Sequence, residues 1–355
     1  MAAWTWAIPV ATMLVLALAG VASAMGAVLG TLCALGLGAA VVAAVHHAEV
    51  IAHRVGEPFG TLVLALAVTV IEASLLLSMM LAGGEEMAVL PRDTIYAAVM
   101  IICNGVVGIC LLVGGLAHRE QSFRIEGNAT GMAALIAMSA LILVLPAFKS
   151  GNGGSYTLPQ LWFVACASAA LWAIFIFIQT VSHRDYFLPT NTAADEQAHE
   201  APPSAREAWT SFALLLVSLV AVVGLAKVLS PSIERAVEAA NAPRAVVGIA
   251  IALLVLMPEA LAATRAARAN RLQTSLNLAI GSALACIGLT VPVVVVASVV
   301  FNLPLVLGLD PIEMALLMVT FIVSAITLGS GRTHMMQGAV HLVIFAAFLF
   351  LAIEP

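Results

Sequence analysis

Charge is scarce in this sequence. Asp, Glu, Lys and Arg make up 9% of its 355 residues, where an average soluble domain carries about 25%. A water-soluble fold of this length needs a charged surface, and this chain cannot supply one. Cysteine is sparse too. Cys33, Cys103, Cys110, Cys166 and Cys286 lie scattered in apolar stretches with no CxxC pair, so they read as small packing residues, not as metal ligands or disulfides. There is no run of basic residues, which argues against nucleic acid as a partner. Strict apolar–polar alternation over segments of about 10 residues, the mark of a transmembrane β-barrel, is also missing. No motif calls for a resident cofactor or an enzymatic reaction.

Apolar residues fill the space. They make up 63% of the chain, and the mean hydropathy is +1.10. Runs of about 20 apolar residues recur from end to end, each long enough to cross roughly 30 Å of hydrocarbon as a helix. The expected fold is therefore all-α, a polytopic membrane protein with the lipid bilayer as its surroundings. About eleven spans are expected, near residues 4–22, 25–45, 58–82, 94–117, 129–148, 158–181, 209–229, 245–266, 274–300, 306–329 and 335–353. The run ending Val21-Ala-Ser-Ala24 resembles a signal-peptide cleavage site, but no Lys or Arg precedes it and a new apolar run starts at Met25. A signal peptide has a basic start, so this segment is expected to remain as a span.

The only sizeable polar stretch runs from Ser182 to Ala208 and contains Asp185, Asp195, Glu196, Glu200 and Glu207. It reads as a flexible acidic linker. Six spans precede it and five follow. With the first set aside, the division is a leading helix (1–23), a five-helix repeat (24–181), the linker (182–208) and a second five-helix repeat (209–355). An odd number of spans per repeat makes the second enter the membrane from the opposite side, the inverted plan of many secondary transporters. With the N-terminus inside, nine of the fourteen Lys and Arg residues fall on the cytoplasmic side. That bias sets an inner-membrane protein with a cytoplasmic N-terminus and linker and an opposite C-terminus.

Two acids interrupt the apolar helices at matching places. Glu72, in Val68-Thr-Val-Ile-Glu72-Ala73, and Glu259, in Val255-Leu-Met-Pro-Glu259-Ala260, each fall in the second span of a repeat. A carboxylate in mid-membrane costs about 2.5–3.5 kcal/mol on insertion scales, so it is normally functional or paired. The structural alternative is a pair of protonated carboxyls holding two helices together. Two facing carboxylates can hold one divalent cation through hard oxygen ligands. Without it, burial and mutual repulsion favour protons instead. Cation and protons then compete for the same oxygens, and alternating access to the two sides makes such a site an exchanger. One divalent ion against two protons is electroneutral at the site.

The neighbours suit such a site. Pro258 removes a backbone hydrogen bond and frees a carbonyl near residue 254. Thr69 shares the face of Glu72, and the next span of each repeat brings Asn104, or Asn277 and Ser282. Each of these could be a ligand or an ordinary interhelical hydrogen bond. Gly105, Gly108, Gly281, Ala283 and Ala285 permit close helix approach. His46, His47, Glu49 and His53 could share a helical face as a metal or pH-sensing cluster, but a solvated interfacial face is the more economical reading because no fourth ligand is fixed. Glu57 is a vestibule acid or a helix-start charge before Pro58, and Asp310 and Glu313 look like helix N-terminal charges. The linker acids with His183 and His199 lack EF-hand spacing and read as a solvated tether.

At these residues the chain resembles the calcium/cation exchanger superfamily, most closely its ChaA-type calcium/proton antiporters. The matching stretches are His47 to Thr61, Ala67 to Glu72, Arg92-Asp-Thr-Ile-Tyr96, Pro258-Glu259-Ala260, Asn277 to Pro292, Gly331-Arg332-Thr333, Gly338 and His341-Leu342. The resemblance covers nearly the whole chain. It implies one leading helix, two inverted five-helix repeats, and one essential acid from each repeat, carried over here as Glu72 and Glu259. It implies Ca²⁺ and H⁺ as substrates. The superfamily's Gly-Asn before each acid is replaced here by Val68-Thr69 and Val255-Leu256, and the branch is associated with Na⁺ and K⁺ as well. Sodium or potassium/proton exchange at the same site is therefore the alternative. A channel fits the paired repeats less well, and a Ser282–His341 hydrolase would leave both glutamates idle.

Overall fold

The computed structural model describes residues 3–21, 26–56, 59–149, 154–188, 203–239, 243 and 245–354. Among them the chain forms eleven helices, as the apolar runs predict. They are α1 (Ala3–Val21), α2 (Ala27–Val55), α3 (Phe59–Gly83), α4 (Leu90–His118), α5 (Ile125–Phe148), α6 (Leu158–Ser182), α7 (Ala205–Ala239), α8 (Ala245–Arg268), α9 (Leu272–Phe301), α10 (Pro311–Gly329) and α11 (Met335–Ile353). Ten are long and apolar enough to cross a membrane, and in α3 the described apolar stretch is Leu66–Leu81. Two short strands, β1 (Glu120–Ser122) and β2 (Arg332–His334), pair antiparallel with Gln121 opposite Thr333.

The chain divides into two compact units, each drawing helices from both halves of the sequence. The first holds α1, α2, α3, α7 and the last turn of α9; the second holds the rest. The first unit is packed through small side chains. Ala40, Ala43, Ala44, Ala48 and Cys33 of α2 are fully buried, and Gly36 lies where an added Cβ would meet Leu225 of α7 at 3.4 Å. Without water to drive association, helices in lipid are held by such close van der Waals contact. In α3 the exposed Leu66, Val70 and Leu81 mark one stripe. The buried Val68, Thr69, Glu72, Leu76 and Met79 lie off it.

In the second unit α4 is the core, the most enclosed of the ten long apolar helices. Its glycines meet α11 backbone to backbone. An added Cβ on Gly338 would stand 2.4 Å from the Leu112 nitrogen, and one on Gly115 would stand 2.4 Å from that of Met335. Any side chain there forces the helices apart.

The helices are not uniform. Residues 101–106 of α4 and 140–144 of α5 form π turns, as does the end of α6 from Ile178. Pro258 does not break α8, which stays helical from Ala245 to Arg268. Pro231 and Pro292 also lie inside continuous helices. The tenth span begins later than its apolar run, because Asp310 caps it and Pro311 takes the first helical position, where a missing N–H costs nothing. Glu313 returns a bond to the Asp310 N–H at 3.0 Å, so both acids are the helix-start charges expected.

Within the second unit the connections gather at two ends. At one, β1 pairs with β2, His118 Nε2 bonds the Arg268 carbonyl at 2.9 Å, Gln121 donates to Ala267, and Asn277 donates to the Phe187 carbonyl. Arg119, Arg124, Arg184, Arg268, Arg271 and Arg332 surround these joints. At the other end the Leu307 and Gly308 N–H groups reach the Gly154 carbonyl, and Arg92 donates to the Gly308 carbonyl at 3.0 Å. Counting spans assigns each set of connections to one side of a membrane, and within the unit each set is found together.

Candidate functional site

Glu72 sits thirteen residues from Phe59 and eleven from Gly83, so about 16–20 Å of helix separates it from either end. Its residue is 3% exposed, and Thr69, one turn earlier, 5%. α3 therefore carries an acid and a hydroxyl on one buried face, inside a mostly apolar helix whose other polar residues are Thr61, Ser74 and Ser78. Glu259 lies fourteen residues from Ala245 and nine from Arg268, one residue after Pro258 and half-buried. Around it, Val255 and Leu256 are buried. Glu72 belongs to the first compact unit and Glu259 to the second.

α8 is fixed to α4 along its length. Gly248 packs on the Asp93–Thr94 backbone, where an added Cβ would come within 3.0 Å. Thr264 contacts Cys110 at 3.8 Å, and Gln121 and His118 hold the carbonyls of Ala267 and Arg268. Glu259 thus stands on a helix clamped at both ends. Arg92 Nε meets Asp93 Oδ1 at 2.8 Å at the start of α4.

The remaining polar residues separate in role. Asn104 is fully buried in the π turn of α4, donating to Thr320 Oγ1 at 2.9 Å and facing His341 Nδ1 at 3.2 Å. Asn277 lies five residues into α9. Its Nδ2 donates to the Phe187 carbonyl at 2.7 Å and its Oδ1 accepts from Gln273 at 2.8 Å. It holds the chain leaving α6 against α9. Ser282 is half-buried further along α9. His341 turns its ring nitrogens to Asn104 and Thr327, not to Ser282, which removes the hydrolase dyad.

The histidine cluster of α2 is a packing joint. His47 is fully buried and its Nε2 meets the Thr5 carbonyl of α1 at 2.8 Å, while the His46 ring lies tilted against Trp4 with ring centroids 4.7 Å apart. The face is thus only partly the solvated one expected: Glu49 and His53 are exposed, and His47 is not. No group of three or more metal-ligating side chains occurs among the described residues. Glu57 and the linker residues Asp195, Glu196, His199 and Glu200 lie outside them.

The sequence model of the sodium/calcium exchanger protein family matches residues 23–181 and 210–354. The chain belongs to that family. The exchanger is 46% identical over 99% of its length to a Sinorhizobium fredii protein, y4hA, whose name says only ionic transporter; the match covers 96% of that protein. It is 35% identical to the sodium-potassium/proton antiporter ChaA of Escherichia coli, over 96% of this chain and 93% of that one. The Ca²⁺/H⁺ antiporter ChaA of Bacillus subtilis is 25% identical over 70% of each chain. In fold, the exchanger is similar to the crystal structure of the H⁺/Ca²⁺ exchanger CAX, with a TM-score of 0.73 at 16% identity, covering 98% of this chain and 87% of that one. It is thus a multi-pass membrane transporter of a cation-exchanging family.

Proposed function

We propose that the protein is a secondary antiporter that exchanges Ca²⁺ for H⁺ by alternating access, with Glu72 and Glu259 taking up cation and proton in turn. The observation that carries this reading is the pair of acids itself. Glu72 stands well inside α3 and Glu259 well inside α8, in a chain with almost no other charge in its apolar spans. A carboxylate kept there at a cost of about 2.5–3.5 kcal/mol needs a use, and reversible binding of cation or proton supplies one. When Ca²⁺ leaves, each carboxylate accepts a proton, and the site returns with its charge unchanged. Thr69, Asn104 and Ser282 are proposed as polar neighbours of that path. The two bonds of Asn277 at the arginine-rich end favour an anchoring role for it. That end is assigned to the cytoplasm, with the N-terminus, in a bacterial inner membrane.

Exchange of Na⁺ or K⁺ for H⁺ by the same acids is the second reading. The 35% identity to the sodium-potassium/proton antiporter of E. coli favours it. So do Val68, Val255 and Leu256, buried at positions where the superfamily pattern puts Gly or Asn, since a valine or leucine side chain offers no oxygen to a divalent ion.

The test uses inside-out vesicles acidified by respiration, with a fluorescent dye reporting the proton gradient. Added Ca²⁺ is expected to collapse the gradient, and Glu72→Gln or Glu259→Gln to remove the response. A response to Na⁺ or K⁺ alone overturns the assignment of Ca²⁺. No response to any of the three, with folded protein in the membrane, overturns the antiporter reading.

A further inference from the structure

His341 is fully buried in α11 with no charged partner among the described residues, and exchange of cation for proton at two glutamates gives it no task. Its surroundings are specific. One ring nitrogen, Nδ1, lies 3.2 Å from Asn104 Oδ1 in the π turn of α4; the other, Nε2, lies 3.2 Å from Thr327 Oγ1 of α10. Asn104 in turn donates through Nδ2 to Thr320 Oγ1 at 2.9 Å, and Thr320 donates to the Leu316 carbonyl at 2.9 Å. Asn104, His341 and Thr320 are fully buried, and Thr327 is 3% exposed.

These contacts have one consistent direction. An amide oxygen only accepts, so Nδ1, the ring nitrogen facing Asn104 Oδ1, must carry the hydrogen. Thr320 spends its only O–H on Leu316, so it can only accept from Asn104, which leaves the amide oxygen of Asn104 toward the imidazole. The neutral ring then has one acceptor left, Nε2, and Thr327 donates to it. The chain runs Thr327 to His341 to Asn104 to Thr320 to Leu316, every link a donor meeting an acceptor, tying α4 to α10 and α11. Gly105 and Gly108 make the approach feasible, since an added Cβ on Gly108 would stand 3.1 Å from the Cβ of His341.

The position of the chain gives it a purpose. A π turn holds one residue more than the α-helix it interrupts, and such turns persist where surrounding contacts fix them, often at functional sites. Asn104 is in the middle of this one, which spans Ile101–Val106. We propose that His341 is a positioning residue for cation binding: it fixes the amide of Asn104 in one orientation and holds the π turn of α4 in register. This rests on the reading above that Asn104 neighbours the cation path.

The test compares purified variants in proteoliposomes, at equal amounts of folded protein, with cation uptake driven by a proton gradient. His341→Leu is expected to raise the cation KM about tenfold with Vmax within about twofold, a difference of one lost oriented hydrogen bond. Asn104→Ala should raise KM by a similar factor, and the double variant no further, because the two residues act as one unit. His341→Gln, which can still donate to Asn104, should restore most of the affinity. An unchanged KM in His341→Leu, or effects that multiply in the double variant, overturns the proposal. A nitrogen-15 spectrum of the imidazole decides the geometry without transport: the neutral ring protonated at Nδ1 is expected, and protonation at Nε2 overturns it. Should the wild type exchange no cation for protons, the functional reading fails while this spectrum still decides the hydrogen-bond chain.

Discussion

The two compact units differ in the balance of close packing and directional bonds among their described residues. In the first, α2 meets its neighbours largely through fully buried Ala40, Ala43, Ala44 and Ala48, a surface that sets how close the helices come, with His47 adding one bond to the Thr5 carbonyl of α1. In the second, α8 and α11 are tied to α4 by directional bonds and by glycines that admit one fit, with Gln121 on Ala267, His118 on Arg268 and Asn104 on His341. Small smooth faces give distance; hydrogen bonds and interlocked backbones give distance and rotation together. The acid of the second unit thus stands on a helix, α8, held by packing and by the bonds of Gln121 and His118.

The largest expected effect tests whether this difference reaches function. Glu72→Gln and Glu259→Gln should each lower exchange by at least about a hundredfold in the dye assay, as expected where an oxygen ligand and a proton carrier are lost together. Substantial transport in either one would show that the two acids are unequal partners. Next come the glycines. Gly338→Leu should cost about 1–3 kcal/mol or more through overpacking against the Leu112 backbone, seen as a lower melting temperature in detergent. Gly36→Ala in the first unit, where the new Cβ meets Leu225 at ordinary contact distance, should leave the melting temperature nearly unchanged. Equal sensitivity of the two would erase the comparison. Asp310→Ala should cost about 1 kcal/mol, the usual value of an N-cap, measured the same way. Smallest of all, Arg332→Gln removes an exposed contact to Glu120 at 3.4 Å, and its shift should lie within about 0.5 kcal/mol.

Much of the fold was legible in the sequence, for a physical reason: in lipid every backbone group must be satisfied within its own helix, so the length of an apolar run fixes the element. The ends were less legible. α2 continues through His46, His47 and Glu49 to Val55 because α1 covers the histidines, which an apolar-run reading cannot foresee. α10 starts at Pro311, not at residue 306 where the apolar run begins, in keeping with the reading of Asp310 and Glu313 as helix-start charges. The π turns had no local signal. They depend on contacts such as Asn104 with Thr320, 216 residues away, and a sequence reads only its neighbours. The same distance hid the pairing of β1 with β2. Of the candidate site, the positions of Glu72 and Thr69 on one buried face followed from their spacing, whereas the partners of Asn104 and Asn277 did not. His341 was noticed as part of a motif, but its place at the crossing of three helices is a property of the folded chain.

The fit between α4 and α11 also has a cost in time. α4 ends at His118, and the glycine that packs against its backbone is Gly338. At a synthesis rate of about 5–20 residues per second, α4 enters the bilayer roughly ten to forty seconds before its closest partner exists. Throughout that wait its glycine face and the β1 strand are uncovered, in a membrane crowded with other unfinished helices. The last of the described helices to be made is therefore the one that closes the core of its unit, and any ribosome that stops short of it releases a chain whose central helix has been left open.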